Sequence, residues 1–163
     1  MGTHMTNIPH LHQLIPHDTP MVLVDELIDV GEEHVHCRVN INESCIFFDP
    51  ETRSIPGHVG IEFMAQSVAG WAGYHAWKQD KPSPIGFLLG CRRYQTECSA
   101  FNEGDLLDIY AERLMENNGM AVFTCRIEHQ GTVLATCQLN AFVPSPEKLD
   151  QMIGNSQENR NPS

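Results

Sequence analysis

The segment His58–Lys78, HVGIEFMAQSVAGWAGYHAWK, decides the fold of this chain. Its few polar side chains do not gather on one half, and a helix that is apolar nearly all round is a buried helix. Glu62 is the only acid in the segment, and acids are almost never buried unless they are paired or used. The segment therefore predicts a central buried helix that carries a single carboxylate.

Glu62 and Gln66 are four residues apart, so they share one face of that helix. The same face continues through small side chains to Gly73. This pattern predicts a shallow slot with a carboxylate at its head. Two structural interpretations remain open: Glu62 accepts a hydrogen bond from a strand, or it interacts favourably with the dipole of the first helical turn.

Strand patterns lie on both sides of the helix. Apolar and polar residues alternate in residues 34–41, as in a half-buried strand, and strands are also predicted for residues 21–30, 85–99, 106–115, 120–129 and 132–143. Asn118-Gly119 and Gln130-Gly131 are hairpin signals. Strands around one helix predict an α+β protein in which a curved antiparallel sheet wraps around the long central helix.

The length of 163 residues is typical of one domain. We assign residues 5–143 to this domain, interpret residues 1–4 as a cloning remnant because of the GTHM string, and predict a polar, disordered tail over residues 144–163. A short helix or turn is predicted for residues 8–15. No membrane span is expected, because no run of 18 apolar residues is free of polar breaks. No secretory signal is expected, because the N-terminus lacks a basic region followed by an apolar stretch.

The net charge of −11 argues against binding to nucleic acids and anionic membranes. Four of the ten basic residues cluster in a short span, where an acidic partner could bind: Lys78, Lys81, Arg92 and Arg93. The six cysteines show no CxxC pair and no zinc spacing, so no metal is expected. Those on apolar strand positions, Cys37, Cys125 and Cys137, are interpreted as core residues of a cytoplasmic protein.

Several strings resemble motifs of the hotdog-fold 3-hydroxyacyl-[acyl-carrier-protein] dehydratases of bacterial fatty-acid synthesis. LIPH at residues 14–17 with MVLVD at 21–25 is similar to their LLPHRxPFLLVDR opening. PG at residues 56–57 with GIEFMAQ at 60–66 is similar to their PGVLIIEAMAQ. The strings GIEFMAQ at residues 60–66 and GFLLGCRRY at residues 86–94 look closest to a divergent branch found in aryl-polyene gene clusters.

The resemblance implies a site between two subunits, and hence a homodimer or heterodimer without a cofactor. Glu62 matches the helix acid of the family, and Gly57 matches the glycine whose N–H polarises the thioester carbonyl. The acyl chain would run beside Gln66 and Gly73. Arg92 and Arg93 would receive the phosphopantetheine phosphate or the acidic acyl carrier protein, unless they pair with strand acids such as Glu97 or Asp108.

One position departs from the family. Where the family has a catalytic histidine in an HFPG motif, this chain has Phe48, and no histidine lies between His36 and His58. The general base that would remove the α-proton is therefore missing from its usual place. His58, one helical turn before Glu62, is the first alternative base, and His17 is the second.

Three functions follow as hypotheses. The first is a dehydratase that eliminates water from 3-hydroxyacyl thioesters. The second is a non-catalytic or half-catalytic hotdog subunit that pairs with an active one. The missing histidine is the observation that supports this hypothesis. The third is a thioesterase in which Glu62 activates water or attacks the carbonyl. Release of free thiol distinguishes the third from the first, because elimination leaves the thioester intact.

Overall fold

The computed structural model describes residues 23–80 and 87–142. Within these ranges the chain forms eight strands and one α-helix. The strands are β1 (Glu26–Val30), β2 (His34–Asn40), β3 (Ser54–Pro56), β4 (Phe87–Thr96), β5 (Ala100–Asn102), β6 (Leu106–Asn117), β7 (Met120–His129) and β8 (Thr132–Phe142). The helix α1 spans Gly60–Lys78 and follows a 3-10 turn, Gly57–Val59. His17, Lys81, the predicted element at residues 8–15 and the predicted tail lie outside the described residues.

Six strands form one sheet in the order β1-β2-β6-β7-β8-β4, and all its neighbouring strands are antiparallel. β3 and β5 form a separate two-stranded sheet. The sequence patterns missed this small sheet, because strands of three residues are too short to show an alternation and Pro56 disfavours a strand assignment. The antiparallel sheet with one long helix confirms the predicted α+β class.

The core lies between the inner face of the sheet and one side of α1. Phe63 and Met64 of the helix are fully buried and belong to the same core as Phe101 and Phe123, which are also fully buried. Burial of each phenylalanine stabilises the fold by about 2 kcal/mol relative to an exposed side chain. This packing fixes the rotation of α1 about its axis and therefore decides which of its side chains face outwards.

The predicted burial of α1 on all sides is wrong for the single chain. Glu62 is exposed, and Ile61, Ala65 and Ala69 are only partly buried. A sheet covers one side of a helix, and within the described residues no element covers the other side. The low polarity of this outer face is the reason that the sequence pattern indicated complete burial.

Both predicted hairpin turns are confirmed. Asn118 and Gly119 have positive φ values of 53° and 85°, and Gln130 and Gly131 have values of 52° and 82°. Positive φ at both central residues is the requirement of a type I′ turn. Strand β8 departs from regular alternation at one position, because a register shift between Ile127 and Glu128 places Val133 outside, where it is 42% exposed.

All six cysteines are free, and Cys37, Cys125 and Cys137 are buried as predicted. Burial raises the pKa of the Cys37 thiol to about 12, so this thiol stays neutral and packs as a small apolar side chain. No helix in residues 23–80 and 87–142 combines the length and the hydropathy needed to cross a membrane.

Candidate functional site

Gly57 lies at the junction between β3 and the helix, where the chain passes very close to the segment before β5. A Cβ atom at Gly57 would lie 2.8 Å from the carbonyl oxygen of Cys98 and 3.1 Å from that of Ser99. The Gly57 N–H donates a hydrogen bond of 2.8 Å to the Ser99 carbonyl oxygen. A glycine is therefore required here by the close approach of two backbones.

The N–H of Gly57 cannot fill the role that the resemblance implied. A thioester carbonyl needs an open donor, and this N–H is already satisfied by Ser99. The next N–H along the chain, that of His58, has no hydrogen-bond acceptor among the described residues. Free N–H groups and a partial positive charge are the ordinary properties of a helix start. The open donor is therefore displaced by one residue from its predicted position.

Glu62 lies in the first turn of α1 and is exposed to solvent. Its carboxylate has no hydrogen bond or ion pair within the described part of the chain, which excludes the alternative that it serves as a structural acceptor for a described strand residue. His58, four residues earlier, is also exposed. Both side chains therefore stand on the uncovered side of the helix, where a second molecule can reach them.

Gln66 and Gly73 do not continue this open surface. Both are buried within the single chain. The side-chain oxygen of Gln66 accepts hydrogen bonds from the N–H groups of Leu23, at 2.7 Å, and Val24, at 3.3 Å. Gln66 therefore connects the segment before β1 to the helix. Because Gln66 and Gly73 are buried, the predicted slot from Glu62 to Gly73 is not open to solvent in the single chain.

Phe48 occupies the loop between β2 and β3, where the resemblance placed a histidine. The guanidinium of Arg53 lies 5.0 Å from the centre of its ring, in the range of a cation–π contact. Arg53 in turn forms ion pairs with Glu43, at 3.4 Å, and with Glu103. The loop thus holds an aromatic side chain that can neither accept nor donate a proton.

Arg92 and Arg93 lie exposed on β4. Neither forms an ion pair with a residue that the structure describes. The alternative pairing with Asp108 is wrong, because this carboxylate binds His36 at 2.8 Å and Arg38 at 3.2 Å. Two neighbouring arginines that form no ion pair with the described residues remain available to an anionic ligand.

Tyr94 is the residue that the sequence patterns missed. Its hydroxyl donates a hydrogen bond to the carbonyl oxygen of Gly57, across 37 positions of the chain. Burial, with smaller contributions from nearby cysteines, raises the pKa of Tyr94 to about 12, so the hydroxyl stays a donor at physiological pH. No spacing rule marks this tyrosine, because the contact depends on how β4 meets the start of the helix.

The described residues contain no cluster of three or more histidine, cysteine or acidic side chains that could hold a metal ion. The two histidines of β2 bind different carboxylates: His34 lies 3.2 Å from Asp29, and His36 lies 2.8 Å from Asp108.

Comparison with known proteins assigns the family. A model for ApeP-like proteins, described as ApeP dehydratase, matches residues 9–154. The chain belongs to the ApeP-like dehydratase family. The resemblance noted in the sequence, including its aryl-polyene branch, is thereby confirmed.

The ApeP-like chain is also similar to a solved structure, that of the dehydratase heterocomplex ApeI:P from Xenorhabdus doucetiae. The TM-score is 0.79 with 33% identity, over 89% of this chain and 97% of the other. The 3-hydroxyacyl-[acyl-carrier-protein] dehydratase FabZ of Acinetobacter baylyi is 28% identical over 82% of this chain and 91% of its own length. A hypothetical thioesterase from Streptococcus pneumoniae, at 16% identity and a TM-score of 0.57 over 74% of this chain and 88% of its own, shares the fold alone. The hotdog fold is confirmed by these matches.

Proposed function

We propose that this ApeP-like chain supplies the acid of a dehydratase whose base comes from a second hotdog subunit. The substrate class is a 3-hydroxyacyl thioester on an acyl carrier protein, and the reaction eliminates water. The observation that supports this most directly is the exposure of Glu62 on an uncovered helix face, in a chain whose loop carries Phe48 instead of a histidine.

The uncovered face explains why a partner is needed. Ile61, Ala65 and Ala69 of the same helix are apolar side chains that are only partly buried. When the Glu62 carboxyl group is exposed to water, water molecules compete with a leaving hydroxyl for its hydrogen bonds. A second subunit seated on this face would exclude water and strengthen the electrostatic interactions of Glu62. The ApeI:P structure is described as a heterocomplex, which supports a pairing of this kind.

In the proposed reaction the partner's base removes a proton from the α-carbon. The electron pair of that C–H bond forms the double bond between the α- and β-carbons, and the bond from the β-carbon to the hydroxyl oxygen breaks. Glu62 gives a proton to the departing hydroxyl, which leaves as water. The protonated base and the ionised Glu62 then exchange one proton through solvent, which restores both groups.

Negative charge develops on the thioester carbonyl oxygen during proton removal. An N–H donor at that oxygen stabilises this charge. The N–H of His58 is the open donor at the start of the helix, whereas that of Gly57 is bonded to Ser99. We therefore assign the oxyanion contact to His58 N–H, one residue after the glycine that the resemblance indicated.

The carrier would approach the arginine side of the site. Arg92 and Arg93 are exposed and lack partners among the described residues, so they can bind the phosphate of the phosphopantetheine arm or acidic side chains of the carrier.

The test is dehydration of a 3-hydroxyacyl acyl carrier protein, followed by mass spectrometry of the carrier. We expect loss of water only when the chain is combined with a hotdog subunit that carries the HFPG histidine. Glu62→Gln should reduce the rate by roughly 100-fold or more, as is typical of general acids. Glu112→Gln, an exposed acid on β6, is the matched control and should leave the rate unchanged.

Other outcomes decide against the proposal in distinct ways. Dehydration by the chain alone, abolished by His58→Asn, would make His58 the base and remove the need for a partner's histidine. Release of free carrier thiol would identify a thioesterase. Full activity of the Glu62→Gln variant in the complex would refute the role of Glu62.

A further inference from the structure

Gly57 makes two hydrogen bonds to residues outside the helix, in addition to the helical N–H bond that its carbonyl oxygen accepts. Its N–H donates to the Ser99 carbonyl oxygen, and its carbonyl oxygen accepts from the Tyr94 hydroxyl. Tyr94 lies near the end of β4, and Ser99 lies in the short connection from β4 to β5. The backbone at the start of the helix is therefore clamped against the end of β4 and the connection that follows it.

The clamp fixes the direction of the following N–H. In a trans peptide the carbonyl oxygen of one residue and the N–H of the next point in opposite directions within one plane. Because the Gly57 carbonyl oxygen accepts from Tyr94 as well as from the helix backbone, the N–H of His58 points away from Tyr94. No acceptor among the described residues competes for it.

An irregularity in β4 aims Tyr94 at this peptide. The register of β4 against β8 shifts between Arg92 and Gln95, and Arg93 has a φ of 58°. In a regular strand Arg93 would share the inner face with Cys91, because side chains alternate. The extra residue of the bulge instead turns Tyr94 inwards and leaves Arg92 and Arg93 exposed.

The left-handed backbone conformation of Arg93 is unfavourable by itself. A non-glycine residue in the left-handed region costs on the order of 1 kcal/mol. Strain of this kind persists where the surrounding structure fixes it, and it clusters near functional sites.

Gly60 leaves room for the Tyr94 hydroxyl, because a Cβ atom at this position would overlap that hydroxyl.

We propose that Tyr94 is a positioning residue for the dehydration, which orients the Gly57–His58 peptide so that the His58 N–H meets the thioester carbonyl oxygen. A donor on the Gly57 carbonyl also polarises the peptide and strengthens its N–H as a donor. This role rests on the proposed function, since it requires that a thioester binds at the start of the helix. Tyr94 itself does not touch the substrate.

The first experiment measures kcat and KM of the reconstituted complex with the Tyr94→Phe variant. We expect kcat to fall roughly 10-fold, a fraction of the 100- to 1000-fold loss on removing an oxyanion donor itself, with KM changed less than twofold. Replacement of Tyr94 by 4-aminophenylalanine, which retains a donor at the ring para position, should restore most of the lost rate. Tyr110→Phe on β6 is the matched control and should change neither constant.

The second experiment uses the wild-type complex and a non-reactive 3-hydroxyacyl pantetheine amide in place of the thioester. We expect the amide proton of His58 to shift downfield on binding, while that of Gly57 stays in place. This measurement does not depend on the folding of a variant. A shift of the Gly57 proton alone would overturn the inference.

The two proposals fail in different ways. A wild-type complex that does not dehydrate the substrate would refute the proposed function, and the role of Tyr94 would fall with it. A wild-type complex that dehydrates, with an unchanged kcat for Tyr94→Phe, would refute the role of Tyr94 alone. If Tyr94→Phe lowers kcat only as much as it lowers the folded fraction, and 4-aminophenylalanine does not restore the rate, Tyr94 has a structural role only and the inference is refuted.

Discussion

The α-carbon of Gly60 and the hydroxyl group of Tyr94 leave no room between them for a Cβ atom. The same Cβ would also lie 2.9 Å from Cδ1 of Ile127 and 3.3 Å from Cζ of Phe101. The first residue of the helix is thus enclosed by the tyrosine and by two fully buried core side chains. This contact links the start of the helix to β4 and to the core at once.

Gly60→Ala should therefore destabilise the protein. Tyr94 and the two core side chains must move, and overpacking of this kind costs about 1–3 kcal/mol, which exceeds the gain of up to about 1 kcal/mol from alanine in a helix. We expect a lower urea midpoint with an unchanged m-value. Gly90→Ala is the matched control, because a Cβ there meets no atom within 4 Å. A stabilised Gly60→Ala variant would contradict the described packing.

Gln66→Leu should release the segment before β1. The N–H groups of Leu23 and Val24 would lose their shared acceptor, and an unsatisfied buried donor costs about 1–3 kcal/mol. We expect a loss of that size in urea unfolding and faster hydrogen exchange at both amides. Gln79→Leu, at an exposed position just after the helix, should change stability by less than about 0.5 kcal/mol. Unchanged exchange at Leu23 would argue against this anchor.

Substitution of Arg92 and Arg93 by glutamate should affect carrier-bound substrate only. We expect a rise in KM of roughly 10-fold for the acyl carrier substrate, diminished at high salt, with kcat unchanged. A short pantetheine thioester should react as before. Arg126→Glu carries the same change of charge on β7, where the guanidinium covers the ring of Tyr110 at 4.1 Å, and it should leave KM unaltered. Equal effects on both substrates would contradict a carrier contact.

Asp108 should make stability depend on pH. Burial raises the pKa of this carboxyl, but the hydrogen bonds and charges of His36 and Arg38 outweigh it, so the pKa lies below its ordinary value. A carboxyl with a lowered folded-state pKa stabilises the fold above its unfolded-state pKa, and this contribution disappears as the pH falls through the folded-state value.

Asp108→Asn should accordingly lower the free energy of unfolding by about 1 kcal/mol near neutral pH, as expected for a partly exposed ion pair. The difference from wild type should shrink in acid, below about pH 4. Glu32→Gln, an exposed acid at the β1–β2 turn, is the control for the loss of charge. A constant difference across this range would show that the ion pairs of Asp108 do not stabilise the fold.

The six strands of the large sheet and its two hairpin turns were readable from the sequence because their causes are local. Apolar alternation in β7 and the Asn118-Gly119 and Gln130-Gly131 pairs act within a few residues, so their patterns survive in the linear chain. The central helix and its single acid were readable for the same reason. The absence of the family histidine at position 48 was also readable, because the identity of a residue is given directly by the sequence.

The orientation of α1 was decided only by the tertiary structure. Low polarity on all sides predicted complete burial, yet the sheet covers one side and leaves Glu62 exposed. Likewise, the hydrogen bonds of Gly57 to Ser99 and Tyr94 join positions far apart in sequence. A pattern of residue types records what each side chain prefers, whereas the partner that satisfies a backbone group depends on which segments the fold brings together.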